Sequence, residues 1–470
     1  MSGIFGVVSE KNCVEDLFYG TDYHSHLGTE FGGMAVLIRG GMPPETHGIS
    51  RKPFRPQFED FVRKTRGKAG IGVISDYERQ PLLSESHFGT YAIVHSGKIS
   101  NLKQLVKEAK ANGTNFSQMT GNSVNPVQLI TTLISQKGSL VEGIENVWER
   151  IEGSSSLMLL RREKGNGVIY VARDNLGRTP VVIGKKKGAM AATLETCALP
   201  NLNFEAVHEL KPGEIVRLRE DGYEQLKPGN ENMQICSFLC IYFGYPASRY
   251  EKINVEESRY RCGAVHGKLD EENRLDLDLV AGIPDSGVGH ALGYSEERGI
   301  PYKRPFVKYT PTWPRSFMPQ DQKVRELVAR MKLIPIPELI RGKRLLFCED
   351  SIVRGTQLKD TIKRVRECNS LEIHMRPACP PLIYGCRYLN CSRSKNQNVL
   401  AARKAIKKIE GREDYDITPY LDENSQQFAK MVEVIREDLE LTSLRYQKLE
   451  DMVSAIDLPR EKLCLGCWTM

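Results

Sequence analysis

The sequence has no apolar run that approaches the about 20 residues a membrane-spanning helix needs. Its first residues, MSGIFGVVSEKNC, lack the basic start and the apolar core of a secretory signal peptide. It has no internal repeat, no low-complexity tract and no block of basic residues, although its net charge is +7. We therefore expect a cytoplasmic protein that acts on neither membranes nor nucleic acid.

The composition is that of a globular protein, with 470 residues of which 40% are hydrophobic. This length favours two or three domains. Twelve cysteines in a reducing compartment are expected to be thiols, metal ligands or redox groups rather than disulfides. A mild excess of positive charge also suits a polyanionic substrate.

The most informative stretch is RLLFCEDSIVRGTQ, residues 344–357. Its apolar run 345–348 predicts a buried parallel strand, and the acidic pair Glu349 and Asp350 follows where that strand ends. The loop 351–356 is rich in small residues, and the following LKDTIKRVREC has the spacing of an amphipathic helix. Adjacent carboxylates can bind the two hydroxyls of a ribose, while N–H groups at a helix start can bind a phosphate.

This pattern resembles the phosphoribosylpyrophosphate (PRPP) motif of type I phosphoribosyltransferases, and SIVRGT resembles one family among them, the glutamine PRPP amidotransferases of purine synthesis. The alternative is an ordinary strand–helix unit whose acids are solvated. The resemblance implies that Glu349 and Asp350 bind the ribose and, with Ser286, Mg²⁺. It assigns the 5-phosphate of PRPP to the loop residues Ser351, Ile352, Val353, Arg354, Gly355 and Thr356.

Residues 1–230 are rich in short β-like runs with helical stretches such as LKQLVKEAK between them, which predicts an α+β domain. The segments SGIFGV, HSGKISN, ARDNLGRTP, LETCAL and LKPGEIVRL resemble the N-terminal-nucleophile glutaminase domain of the same family. The expected fold of residues 1–230 is therefore a class II glutamine amidotransferase-like αββα domain.

The residues that carry glutaminase chemistry in this family are altered. Ser2 stands at the position of the N-terminal Cys nucleophile, and Ser75 replaces an Arg that grips the glutamine carboxylate. Ser96 and Gly97 occupy the place of an Asn-Gly pair that donates to the oxyanion. Cys13 lacks the α-amine base and does not substitute for Ser2. We expect a site that no longer handles glutamine; the alternative is a glutamine-dependent enzyme whose nucleophile is Ser2.

Residues 231–420, after the linker-like KPGNENMQ, alternate strand and helix as in an α/β phosphoribosyltransferase domain with a doubly wound parallel sheet. The turn 284–287 resembles the family's pyrophosphate loop, which implies that Asp285 and Ser286 face pyrophosphate and Mg²⁺; an ordinary turn is the alternative. The segment 307–320 corresponds to the mobile loop that closes over PRPP in relatives. Four basic residues of this loop and the segment after it are candidates to bind the substrate: Lys308, Arg315, Arg325 and Lys332. Each of them could instead be a solvated surface charge.

Residues 421–470 are predicted to form a C-terminal helix, at 428–453, and a cysteine-containing tail. A CxxC such as CLGC is by itself compatible with zinc, a redox pair or an iron–sulfur cluster. The positions that correspond to the ligands of cluster-bearing family members are Cys236, Cys386, Cys464 and Cys467. We favour a 4Fe–4S cluster over zinc or free thiols, with Cys240, Cys379 and Cys391 as nearby residues that could be mistaken for ligands.

Besides the glutamine-dependent enzyme that uses Ser2, two functions remain open from the sequence. The first is an amidophosphoribosyltransferase that forms 5-phosphoribosylamine from PRPP with the help of Mg²⁺, using ammonia rather than glutamine. The second is a catalytically silent subunit that binds PRPP or purine nucleotides and regulates an active relative. The resemblance also implies a homodimer or homotetramer.

Overall fold

A computed structural model describes residues 1–121, 123–271, 275–308, 333–389 and 397–469. The strands up to residue 230 are β1 (Gly3–Ser9), β2 (Phe31–Val36), β3 (Pro44–Gly48), β4 (Ala69–Ser75), β5 (Leu82–Ser86), β6 (Gly89–Ile99), β7 (Met119–Thr120), β8 (Ser123–Val124), β9 (Gly153–Glu163), β10 (Asn166–Ala172), β11 (Val182–Lys186), β12 (Ala189–Thr193), β13 (Glu205–Glu209), β14 (Ile215–Leu218) and β15 (Tyr223–Lys227). The helices of this part are α1 (Val14–Asp22), α2 (Phe54–Lys64), α3 (Leu102–Ala111), α4 (Pro126–Ile134), α5 (Leu140–Arg150) and α6 (Ala198–Asn201).

The strands after residue 230 are β16 (Ile235–Cys236), β17 (Arg249–Tyr250), β18 (Ile253–Asn254), β19 (Leu279–Gly282), β20 (Phe306–Lys308), β21 (Leu333–Pro335), β22 (Arg344–Glu349), β23 (Glu372–Pro377), β24 (Ser443–Leu444) and β25 (Leu463–Cys464). The helices are α7 (Val255–Glu271), α8 (Val288–Arg298), α9 (Pro337–Ile340), α10 (Thr356–Glu367), α11 (Ala401–Glu410), α12 (Gln426–Asp438) and α13 (Leu449–Ile456). A π-helical turn, Leu239–Phe243, and three 3₁₀ turns, Gln397–Val399, Thr418–Tyr420 and Arg460–Lys462, complete them.

Two antiparallel sheets form the centre of the first part, in the orders β13-β11-β12-β1-β4-β2-β3 and β15-β14-β10-β9-β6-β5. On β1, Ile4 and Val8 join a core between the two sheets, whereas Phe5 and Val7 join a core that contains residues of α1 and α2. Residues of α4 and α5 cover the outer face of the second sheet. Because side chains alternate across a strand, burial on both faces explains why β1 is apolar throughout. The predicted αββα fold is confirmed.

The second part is built on a parallel sheet of order β19-β22-β23-β24. Leu345 and Phe347 of β22 belong to a core that includes residues of α10, α11 and α12. Leu346 and Cys348 point to the opposite face, where they pack with residues of α8. Helices therefore cover both faces of the sheet, as the predicted phosphoribosyltransferase fold requires. None of the helices within the described ranges combines the length and the apolarity needed to cross a membrane.

The helix predicted over 428–453 is wrong, because two helices occupy that stretch. Helix α12 ends at Asp438, Glu440 adopts a left-handed φ of +57°, and β24 then pairs with β23 before α13 begins at Leu449. Residues 443–444 thus extend the parallel sheet of the second part. The domain limits at 230 and 420 stay a prediction.

The two parts contact each other along the end of β6. Lys98 donates a hydrogen bond from Nζ to the carbonyl of Cys386 over 2.7 Å, and the Ser100 hydroxyl donates to the carbonyl of Arg387 over 2.9 Å. The tail approaches from the other side, where Cys236 of β16 pairs with Cys464 of β25. Three distant segments of the chain meet there.

Candidate functional site

Two loops lie side by side at the carboxyl edge of the parallel sheet. Strands β19 and β22 are neighbours, with Gly282 opposite Cys348, so the turn 284–287 lies beside the end of β22. A Cβ on Gly287 would approach the carbonyl oxygen of Cys348 to 2.2 Å, so this contact requires glycine. The chain therefore brings the predicted pyrophosphate loop to the strand end that carries the acidic pair.

The acidic pair is largely withdrawn from solvent. Asp350 is 5% exposed, and Glu349 is half-buried. Burial, and secondarily the neighbouring charge and hydrogen bond of Asp350, raise the pKa of Glu349 well above its ordinary value. The Ser351 hydroxyl donates a 2.6 Å hydrogen bond to Oδ1 of Asp350. The surroundings therefore favour the protonated form of Glu349 beside Asp350.

The loop after the acidic pair keeps its N–H groups unpaired. Among the described residues, none of the N–H groups of residues 351–355 donates a hydrogen bond to another protein group. The carbonyl of Val353 accepts from the N–H of Ala401 over 2.8 Å, which fixes the loop from one side. Gly355, with φ of +74°, precedes the first residue of α10. Unpaired N–H groups before a helix start are suited to bind an anion such as phosphate.

The side chains of this loop have different surroundings. Ile352 is buried in the core and Val353 packs against a second core, so each can offer a ligand chiefly its backbone. Arg354 and Thr356 are exposed, and Ser351 is half-buried. The predicted helix is confirmed as α10, with Ile362 and Val365 buried on its inner face.

The neighbouring loop carries a charged pair. Lys308, at the end of β20, forms an ion pair with the exposed carboxylate of Asp285. Ser286 is half-buried beside it. Arg315, Arg325 and Lys332, together with residues 309–320 of the predicted closing loop, lie outside the described residues.

The three serines at the predicted glutaminase site are buried and hydrogen-bonded to one another. Ser2 Oγ donates to Ser75 Oγ over 3.2 Å, and Ser96 Oγ donates to the carbonyl of Ser2 over 2.6 Å. Their exposures are 2%, 0% and 0%. Gly97 has φ of +149°, and a Cβ there would lie 1.9 Å from the carbonyl of Ser154. The hydroxyls of Ser2 and Ser96 thus donate within the protein, to the Ser75 hydroxyl and to a backbone carbonyl.

The four cysteines predicted as cluster ligands line one cavity of about 570 Å³. They are Cys236, Cys386, Cys464 and Cys467. Burial raises the pKa of Cys464 to about 11 and that of Cys467 well above its ordinary value. Burial therefore favours the protonated form of these two thiols, and binding of a metal there would displace protons.

Two further cysteines of the described residues do not line this cavity. Cys240 and Cys379 are buried and do not line it, and Cys391 lies outside the described residues. Within the described ranges, no three or more His, Cys, Asp or Glu side chains form a group that could hold a metal ion as they stand. The predicted ligands thus line the cavity, whereas Cys240 and Cys379 do not. The described side chains there do not form a site for a single metal ion.

Two buried charged residues are not predicted by the sequence. Glu195 is 1% exposed and accepts hydrogen bonds from His26 Nε2 and from the Tyr250 hydroxyl, at 2.8 Å to its nearest oxygen in each case. Arg178, 3% exposed, lines the cysteine cavity. In the sequence, LETCAL and ARDNLGRTP indicate only the fold of the domain. A charged residue within a segment that is expected to be buried could have indicated both Glu195 and Arg178.

Comparison with known proteins agrees with this architecture. Residues 68–200 match the model of the glutamine amidotransferase domain. The amidophosphoribosyltransferase of Methanocaldococcus jannaschii is 29% identical, with 100% of this chain and 97% of the relative covered. That of Synechococcus elongatus is 31% identical over 93% of this chain and 88% of the relative. The solved structure of the glutamine PRPP amidotransferase from B. subtilis complexed with ADP and GMP superposes with a TM-score of 0.83, at 26% identity, over 99% of this chain and 96% of that one.

Proposed function

The chain belongs to the amidophosphoribosyltransferase family, and on that premise we propose that it binds PRPP and forms 5-phosphoribosylamine for purine synthesis, with ammonia rather than glutamine as nitrogen donor. The observation that carries the proposal is the contrast between two sites. At the sheet edge, the acidic pair is followed by the N–H groups of 351–355, which donate to no other group of the described residues and can meet a ligand. At the glutaminase position, Ser2, Ser75 and Ser96 are buried against one another.

Different residues at the sheet edge bind different parts of PRPP. Glu349 and Asp350 bind the ribose hydroxyls, and the N–H groups of 351–356 bind the 5-phosphate. Asp285 and Ser286 face the pyrophosphate, with Lys308 as a nearby cation. Held in this way, C1 of the ribose is presented to the nucleophile in a fixed orientation.

The reaction forms one bond and breaks one. The nitrogen of ammonia bonds to C1 as the bond between C1 and the pyrophosphate oxygen breaks, and pyrophosphate leaves with the electron pair. The nitrogen then loses a proton to solvent. Mg²⁺ neutralises charge on the pyrophosphate when bound. The carboxylates Glu349 and Asp350 with the Ser286 hydroxyl suit Mg²⁺, which takes one or two protein carboxylates and substrate phosphate oxygens rather than a complete protein cage.

The cysteine cavity suits a 4Fe–4S cluster better than a single zinc ion. Zinc is held by four ligands that converge on one point, at about 2.3 Å from each thiolate sulfur. A cluster several ångströms across instead needs thiolates around a cavity, as Cys236, Cys386, Cys464 and Cys467 are placed. The proposal includes a cytoplasmic location, a homodimer or homotetramer, and binding of purine nucleotides, since the B. subtilis relative is complexed with ADP and GMP.

The test is release of pyrophosphate by the purified protein with PRPP and Mg²⁺ at mildly alkaline pH. We expect release with ammonium chloride, and neither glutamate nor pyrophosphate above background with glutamine. Asp350→Asn should remove the ammonium-dependent activity, whereas Asp221→Asn, an exposed carboxylate of the first part, should not. Glutamate release from glutamine would overturn the choice of nitrogen donor.

A calorimetric titration with PRPP and Mg²⁺ separates the remaining outcomes. Binding without turnover would replace the enzymatic proposal by the alternative, a subunit that regulates an active relative. Neither binding nor turnover would overturn both functions.

A further inference from the structure

Arg178 comes from the glutaminase-like part of the chain, between β10 and β11, and yet lines the cysteine cavity. Its side chain is 3% exposed. The cavity is otherwise formed largely by the segments around Cys236, Cys386 and the tail. The buried cation Arg178 of the first domain therefore lines the same cavity as the cysteine thiols of the rest of the chain.

The contacts of Arg178 hold its guanidinium in place without pairing its buried Nε–H. Its Nη2 donates to the side-chain carbonyl of Gln234 over 2.9 Å. The guanidinium carbon lies 3.7 Å from the centre of the Tyr388 ring. Within the described residues, its buried Nε–H has no hydrogen-bond partner. A buried donor without an acceptor is unfavourable, and such a donor indicates a missing group.

The backbone around Arg178 is fixed as firmly as its side chain. Its N–H donates to Oδ2 of buried Asp174 over 3.0 Å, and its carbonyl accepts from the N–H of Cys236 over 3.1 Å. The second contact joins Arg178 directly to one of the predicted ligands. Arg178 is also among the groups that lower the pKa of Cys464 against the larger effect of burial.

Four thiolates around iron–sulfur atoms would place net negative charge in this cavity, and a planar cation with a spare N–H donor complements that charge. We propose, resting on the cluster included in the proposed function, that Arg178 is a positioning residue for the iron–sulfur group: its Nε–H donates to a cluster or cysteine sulfur and its charge raises the reduction potential. The glutaminase-like domain thereby supplies part of the cluster environment independently of any glutamine chemistry.

The physical expectation is a change in reduction potential when Arg178 is replaced. Reduction adds an electron, so a nearby cation and a hydrogen bond to sulfur favour the reduced state. Arg178→Gln removes the charge, and Arg178→Lys keeps the charge but loses the planar guanidinium and its Nε–H donor. The matched control is Arg219→Gln, because Arg219 pairs with Glu163 on the same domain and does not line the cavity.

The experiment titrates the reconstituted full-length protein with dithionite and follows the reduced cluster by electron paramagnetic resonance. At a fixed potential, Arg178→Gln should lower the ratio of reduced to oxidised cluster at least tenfold, which for one electron is 59 mV. Arg178→Lys should give a smaller fall and Arg219→Gln none. Iron and acid-labile sulfide are measured in every variant. Loss of the cluster from Arg178→Gln with unchanged circular dichroism would also support the proposal.

A second measurement detects the contact directly in the unsubstituted protein, with Arg178→Lys as the comparison. Protein labelled with ¹⁵N-arginine should show a nitrogen hyperfine coupling to the reduced cluster that disappears in Arg178→Lys. No coupling, or potentials equal in Arg178→Gln and Arg219→Gln at equal iron content, would overturn the proposal. Absence of iron and sulfide from the unsubstituted protein would overturn it as well, while ammonium-dependent pyrophosphate release would still decide the enzymatic function separately.

Discussion

At the scale of single residues, the acidic pair shows how position alters chemistry. Glu349 and Asp350 are adjacent in sequence at the end of β22, where Asp350 is buried and Glu349 is half-buried. Removal from water and mutual repulsion disfavour two negative charges, so the pKa of Glu349 rises. The proposed binding pair is thus kept partly neutral by its surroundings.

Replacing Glu349 by Gln should weaken binding and improve stability at the same time. Because its pKa is raised in the folded protein, Glu349 takes up a proton on folding, and its ionisation lowers stability as pH rises toward the raised value. Gln does not ionise. We expect Glu349→Gln to melt at the same temperature as the parent below the ordinary pKa of a carboxyl, and above the parent increasingly as pH rises.

The same variant should bind PRPP with Mg²⁺ at least about tenfold less tightly, a loss of about 1.4 kcal/mol. Differential scanning calorimetry at several pH values and isothermal titration measure the two effects. The control is Glu338→Gln, which alters an exposed carboxylate near the same sheet. Equal melting temperatures for Glu349→Gln and the parent at every pH would contradict the assigned protonation.

At the scale of elements, the site depends on how closely two loops approach. The turn 284–287 lies against the end of β22 because Gly287 leaves room for the carbonyl of Cys348. Asp285 and Glu349 can act on one ligand only if this backbone contact keeps their loops together.

Gly287→Ala should therefore disturb the site through the backbone. Its Cβ would lie 2.2 Å from a carbonyl oxygen held in a parallel sheet, so the turn must move. We expect a loss of about 1–3 kcal/mol in the free energy of unfolding and a large loss of PRPP affinity, measured by urea denaturation and by calorimetry.

Gly222→Ala is the matched control, since a Cβ there meets nothing within 4 Å. It should leave both quantities within about 0.5 kcal/mol. A Gly287→Ala protein that binds PRPP like the parent would show that the turn does not set the geometry of the site.

At the scale of the whole molecule, buried polar contacts join the two parts of the chain. Glu195 of the glutaminase-like part accepts hydrogen bonds from Ser248 and Tyr250 of the second part, and His26 contacts it from its own part. Burial alone would raise the pKa of Glu195, but these partners, with His26 foremost, lower it on balance. A carboxylate is thus kept charged at a contact between domains.

Glu195→Gln should loosen that contact in a pH-dependent way. A carboxyl whose folded pKa is lowered stabilises the protein above its ordinary pKa, and this stabilisation is lost as pH falls through the folded value. At neutral pH the variant should lose about 1.5–3 kcal/mol in urea denaturation, and limited proteolysis between the two parts should be faster.

In acid the difference between Glu195→Gln and the parent should shrink. Tyr250→Phe removes a single donor to Glu195 and keeps its charge, so it should cost about 1 kcal/mol and retain the pH dependence of the parent. A constant difference between parent and Glu195→Gln at all pH values would contradict the role of the charge.

The sequence chiefly predicts features whose residues follow one another along the chain. Strand β22, the acidic pair, the loop 351–356 and helix α10 follow one another along the chain, so their periodicity and residue types were enough to place them. The αββα fold and the identity of four cavity-lining cysteines also followed from local motifs and their resemblance to a family. The continuous helix over 428–453 was wrong because pairing of β24 with β23 prevailed over helical periodicity.

Only the tertiary structure could decide which distant residues meet. That Ser2, Ser75 and Ser96 satisfy one another, that Glu195 contacts Tyr250, and that Arg178 lines the cysteine cavity all depend on contacts between segments far apart in the chain. Periodicity and propensity describe neighbours along the chain and so carry no information on such partners. The burial and electrostatics of a site arise from those long-range contacts, and they appear only when the whole chain is packed.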